Sequence, residues 1–149
     1  MAKPIRVGHL VLNVKDLEAS TEFYTEILGF EISRQTETGT FLTCGKIHHD
    51  LALFKAPVDA IPVTPGQLGL NHFAVQVADF EDLKEVYDTL LDKGVTMDHN
   101  TDHGMTSSVY FMDPDGNRIE FFCNNQEDPA VGMAIMSDPT RRNKELVFN

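Results

Sequence analysis

The sequence predicts an α+β protein made of two copies of a βαβββ module, paired so that each covers the other's open apolar face. Three observations predict it. First, Gly8-His9-Leu10-Val11-Leu12-Asn13-Val14 reads like Asn71-His72-Phe73-Ala74-Val75-Gln76-Val77, an offset of 63 residues that also pairs Asp16 with Asp79, Leu17 with Phe80, Tyr24 with Tyr87 and Leu28 with Leu91. Second, each copy runs in the same order, from an alternating apolar stretch to a helical periodicity and then to three strand-like runs. Third, turn residues fall at matching places, Glu37-Thr38-Gly39 in one half and Asp113-Pro114-Asp115-Gly116 in the other.

The elements follow in order. Opening strands are expected over about 5–14 and 69–77. Leu10, Leu12 and Val14 share one strand face, as do Phe73, Val75 and Val77, and both sets pack under the helices. Asp16 and Asp79 stand where a helix start favours an acid. Helices are expected over about 16–28 and 79–93, carried by Leu17, Phe23/Tyr24, Ile27 and Leu28, and by Phe80, Leu83, Val86/Tyr87 and Leu90/Leu91. Gly29 and Gly94 end them. Strands then read as Phe30–Arg34, Thr38–Cys44 and Asp50–Lys55 in the first half, and as Val95–Asp98, Thr106–Met112 and Asn117–Cys123 in the second. The modules therefore span about 5–55 and 69–123. A linker over 56–68, stiffened by Pro57, Pro62 and Pro65, joins them into one domain over 1–125. Residues 126–149 form a tail, expected to be an extended arm packed on its own domain or on a neighbouring subunit.

Composition narrows the function. The chain has 149 residues, 42% of them hydrophobic, which suits one domain with a real core. A net charge of −11 without a dense Lys/Arg cluster argues against nucleic acid as a partner. No apolar run approaches the roughly 18 residues of a membrane span, and Met1 to Arg6 lack a signal-peptide stretch. A cytoplasmic protein is expected. Cys44 and Cys123 form no CxxC motif and are expected to be free, buried thiols.

The histidines carry the chemistry. His9 and His72 lie at equivalent repeat positions, on the less apolar strand faces beside Val11/Asn13 and Ala74/Gln76. Glu120 is an acid on an otherwise apolar last strand, where an unpaired carboxylate would be costly. Two imidazoles and one carboxylate, with positions left open, are the facial-triad pattern of non-haem Fe(II). Mn(II), Zn(II), Ni(II) and Co(II) are the alternative occupants.

On these residues the chain resembles the vicinal-oxygen-chelate superfamily, which includes glyoxalase I, methylmalonyl-CoA epimerase, bleomycin- and fosfomycin-resistance proteins and type I extradiol dioxygenases. The resemblance covers about 5–125. It rests on Val7 to Leu12, on Leu70 to Val75 and most specifically on Asp113-Pro114-Asp115-Gly116-Asn117-Arg118-Ile119-Glu120-Phe121. It implies paired modules forming a cupped mixed sheet around a metal held by His9, His72 and Glu120. Three features look like the extradiol branch. His48-His49-Asp50-Leu51-Ala52-Leu53 is similar to the phrase around that branch's catalytic histidine, which places His49 there. Tyr110, ten residues before Glu120, matches a tyrosine that hydrogen-bonds substrate. His103 is similar to a second pocket histidine, although its spacing to Glu120 is shorter than the family's and His99 is the alternative. Glyoxalase I has a fourth ligand from the first half, where this chain has Ala52.

The resemblance thus implies an Fe(II)-dependent extradiol ring-cleavage dioxygenase taking a catechol-type aromatic diol and O2. His49 would be the base and then the acid. The familiar extradiol enzymes carry four modules, and this chain corresponds to their catalytic domain. The competing readings are another metalloenzyme of glyoxalase, lyase or epimerase type, and a small-molecule binding or resistance protein. Exposed sheet edges lead to the expectation of a homodimer or larger homo-oligomer.

Overall fold

A computed structural model describes residues 1–148. The chain forms two compact units, Met1–Pro62 and a second from Val63 onward. Each has its own mixed sheet, which agrees with the α+β expectation.

In the first unit the elements are β1 (Leu10–Val14), α1 (Leu17–Glu22), β2 (Glu31–Gln35), β3 (Gly39–Thr43) and β4 (Leu51–Lys55). The sheet order is β1-β4-β3-β2. β1 runs parallel to β4, with Leu10 opposite Leu51, and the other pairs are antiparallel. Asp16 caps α1 by accepting a hydrogen bond from the Ala19 N–H at 3.0 Å. After α1 the chain makes a π-helical turn, Phe23–Ile27, instead of continuing as α-helix. The wider turn ends at Gly29, whose φ of 77° is the left-handed value that glycine adopts without strain. Val14, Tyr24, Leu42 and Leu53 are fully buried.

The second unit repeats the pattern with β5 (Phe73–Gln76), α2 (Phe80–Asp92), β6 (Met97–Asp102), β7 (Thr106–Met112) and β8 (Arg118–Asn124). It then adds α3 (Pro129–Ser137) and a short β9 (Lys144–Glu145). Its sheet order is β5-β8-β7-β6-β9, with β5 parallel to β8. Asp79 caps α2 through the Asp82 N–H at 3.0 Å. Leu83 and Leu90 of α2 are fully buried, as are Val109, Phe111 and Ile119 of the sheet. Among the described residues no helix is long and apolar enough to cross a membrane.

Four expectations need correction. The opening strands are shorter than expected, because pairing begins only at Leu10 opposite Leu51 and at Phe73 opposite Ile119. His9 and His72 therefore lie just before their strands. The first strand after α2 is Met97–Asp102, not Val95–Asp98, and its register shifts between Met97 and Asn100. The tail is not an extended arm: Asp128 caps α3 by accepting from the Ala130 N–H at 2.9 Å, with Pro129 in the first turn. β9 then adds to the edge of β6. Cys44 is exposed, because it follows the end of β3 in a turn, where its N–H bonds the Asp50 carboxylate at 2.7 Å. Cys123 is buried.

Candidate metal and substrate site

The turn between β7 and β8 sets the register on which the site depends. Asp113 Oδ1 accepts from the N–H groups of Asp115 and Asn117 at 2.9 and 2.8 Å, and Gly116 supplies a φ of 84°. The hairpin this closes places Glu120 opposite Tyr110 on one side and beside Ala74 on the other.

Glu120 is only 9% exposed, so its oxygens need partners. Ser108, fully buried on β7, donates to Oε1 at 2.6 Å. This is a diagonal contact, since Ser108 stands directly opposite Phe122. Oε2 faces His72 Nε2 at 3.0 Å. The other nitrogen of that ring, Nδ1, lies 2.7 Å from Asn71 Oδ1. A backing acceptor of this kind orients the ring and would keep the proton on Nδ1 once a metal takes Nε2. One imidazole nitrogen and one carboxylate oxygen thus converge while their other atoms are tied to neighbours. That donor set fits two of the three expected ligands. Among the described residues, no group of three or more His, Cys, Asp or Glu side chains is gathered as a metal site.

Tyr110 forms the wall beside this pair. Its ring meets His72 edge-on at 5.5 Å. His99 stacks flat on it at 4.2 Å, delivered by the irregular register of β6. The Tyr110 hydroxyl lies 3.0 Å from His103 Nε2. His103 and His99 were alternatives in the sequence; both contact Tyr110, one through its hydroxyl and one through its face. Burial, and then the negative Glu120 opposite, push the Tyr110 phenol up to about 12, so it remains protonated.

The model of the Glyoxalase/Bleomycin resistance protein/Dioxygenase superfamily matches residues 6–121. The chain belongs to that superfamily. It is 37% identical to biphenyl-2,3-diol 1,2-dioxygenase 3 of Rhodococcus globerulus, over 88% of this chain and 70% of that protein. It is 33% identical to the glutathione transferase FosA of Serratia marcescens, over 89% of this chain and 96% of that protein. Among solved structures, a glyoxalase/dioxygenase from Nostoc punctiforme superposes with a TM-score of 0.70 over 82% of this chain and 92% of its own, at 22% identity. That likeness concerns the fold alone.

The internal duplication is chemically unequal in this chain. By register, Val11 faces Ala52 on β4 as Ala74 faces Glu120 on β8, and Phe41 faces Ala52 as Tyr110 faces Glu120. The first unit therefore has an alanine and a phenylalanine where the second has a carboxylate and a phenol. Its chemistry lies in His9 and His49, whose rings are 4.4 Å apart, with Phe41 edge-on to His49 at 5.4 Å. His48 and His49 also share a hydrogen bond through their Nδ1 atoms. Partial desolvation, then the neighbouring His9 and His48, lower the His49 pKa and favour its neutral, proton-accepting form.

Sequence reasoning missed Asn71, Ser108, Arg141 and Asn143. Asn71 had a signal, because it adjoins a candidate ligand. The others act through register or through a long loop.

Proposed function

We propose that this chain is an extradiol ring-cleaving dioxygenase whose Fe(II) ligands include His72 and Glu120 of the second unit. The observation that carries the reading is the convergence of His72 Nε2 and Glu120 Oε2 at 3.0 Å, with Asn71 and Ser108 engaging the far atoms. Such backing contacts orient ligands at metal sites. The dioxygenase relative supports the choice of substrate class, an aromatic diol. When bound, the iron would supply Lewis acidity that eases loss of a diol proton and the redox capacity for reaction with dioxygen.

The chain's own residues then do the rest. Tyr110, protonated and buried, hydrogen-bonds a substrate hydroxyl. The stacked His99 and Tyr110 rings offer a flat wall against which an aromatic ring packs. In the first unit His49, neutral and backed by Phe41, is the residue suited to accept a proton and return it. The cytoplasmic location and the homo-oligomeric state belong to the same proposal.

A second reading has a specific observation behind it. The chain spans 96% of the FosA transferase but 70% of the dioxygenase. A metal-dependent transferase acting on a small molecule is therefore the competing activity.

The test is protein purified without oxygen, its metal quantified, then mixed with catechol and with a biphenyl diol under air. Bound iron with a yellow ring-fission product supports the dioxygenase. Fe(II)-loaded protein that gives no product, but transfers glutathione to a small-molecule acceptor when loaded with another divalent ion, overturns it in favour of the transferase.

A further inference from the structure

Beyond the sequence motifs, the tail reaches the site. A turn at Asp138 starts the return, with its Oδ1 accepting from the Thr140 N–H at 2.8 Å and its carbonyl accepting from the Arg141 N–H at 3.2 Å. Lys144 and Glu145 then pair with Asp102 and Thr101 on β6. Phe148 stacks on Tyr87 of α2 at 4.4 Å. Between these anchors, Arg141 donates to the His103 carbonyl at 3.1 Å and to Asn143 Oδ1 at 2.7 Å. The same Asn143 oxygen lies 3.1 Å from His103 Nδ1.

These contacts have only one consistent assignment of hydrogens for a neutral His103. Arginine carries donors and no acceptor, so the Asn143 atom it touches is the amide oxygen and not the nitrogen. An amide oxygen cannot donate. His103 Nδ1 must therefore carry the hydrogen in that bond, which leaves Nε2 bare. A bare Nε2 accepts, so the Tyr110 hydroxyl 3.0 Å away donates to it.

We infer that Arg141 and Asn143 are positioning residues that fix His103 as its Nδ1–H tautomer and thereby commit the Tyr110 proton to His103. The Tyr110 oxygen then presents lone pairs to the site. It accepts a hydrogen bond from a ligand and does not donate one. On the reading of the site as a diol pocket, the tail selects the ligand by polarity: a hydroxyl-bearing ring is recognised at Tyr110, and an ether or deprotonated oxygen at that place is not. The tautomer itself rests on hydrogen-bond geometry alone and does not depend on that reading.

The test is made on the full chain, metal-free and without ligand, at a pH where histidine is neutral. Long-range proton–nitrogen correlation spectra distinguish protonated from bare ring nitrogens, and a His103→Gln spectrum assigns the signals. The wild-type protein is expected to hold His103 as Nδ1–H. Asn143→Asp keeps an acceptor oxygen and is expected to retain that pattern. Asn143→Leu removes the acceptor, and Arg141→Leu frees the amide to flip; either is expected to lose the Nδ1–H preference. A wild-type protein showing Nε2–H or an even mixture overturns the inference. So does a folded Asn143→Leu or Arg141→Leu protein with the wild-type pattern. Neither result bears on whether the protein cleaves rings, so this inference and the proposed function fail separately.

Discussion

Replacing Ser108 by alanine isolates what holds Glu120 in place. Ser108 is fully buried and donates a short bond of 2.6 Å to Glu120 Oε1. No water can replace the lost hydroxyl without opening the sheet. Hydrogen bonds to charged groups contribute about 1.5–3 kcal/mol, and stranding a buried acceptor costs at least as much. Metal-free Ser108→Ala protein should therefore unfold about 1.5–3 kcal/mol more easily in urea. The same loss frees the carboxylate to turn. At about 1.4 kcal/mol per factor of ten, metal affinity should fall roughly 10–100-fold, the range seen when backing contacts at metal sites are removed. Competition with a chromophoric chelator measures the affinity. An unchanged affinity beside a reduced stability would refute the ligand role of Glu120 while leaving its structural role intact. No change in either would refute the geometry.

Other outcomes follow from the same structure. His49→Ala should keep its metal and lose activity by about 10²–10⁴-fold if His49 moves the proton, and unchanged kcat would remove it from the mechanism. In alkaline titration, the signal that Tyr110→Phe abolishes should emerge near pH 12, because burial and the Glu120 charge both penalise the phenolate; Glu120→Gln should move it down. A wild-type midpoint at the ordinary value of about 10 would contradict this. Gly39→Ala should destabilise by about 1–3 kcal/mol in thermal melts, since a Cβ there would lie 2.8 Å from ring carbons of Phe54.

The repeat was legible because it is written in residues with fixed jobs. Asp16 and Asp79 cap helices, Gly29 and Gly94 end them in the left-handed region, and Gly116 closes the hairpin. Those features gave the module order and placed His72 and Glu120 close enough to meet. The strand starts were not legible, because an alternating stretch such as Ile5 to His9 becomes a strand only where a partner runs beside it. α3 was hidden for a different reason. It is apolar on all sides and contains Gly132, so no periodicity marks it, and only its Asp128-Pro129 start was visible. Ser108 and Asn143 reach their partners across 12 and 40 residues of sequence. Their roles arise from register and from the path of the tail, which no local pattern encodes.

The central claim is that His72 and Glu120 are two ligands of one metal, and metal content tests it most directly. Wild-type, His72→Ala and Glu120→Ala proteins would be loaded with Fe(II) without oxygen, desalted, and measured for bound iron and for their urea unfolding. The account predicts stoichiometric iron in the wild type and near-complete loss in both variants, each still folded. Full iron content in a folded Glu120→Ala protein would contradict it.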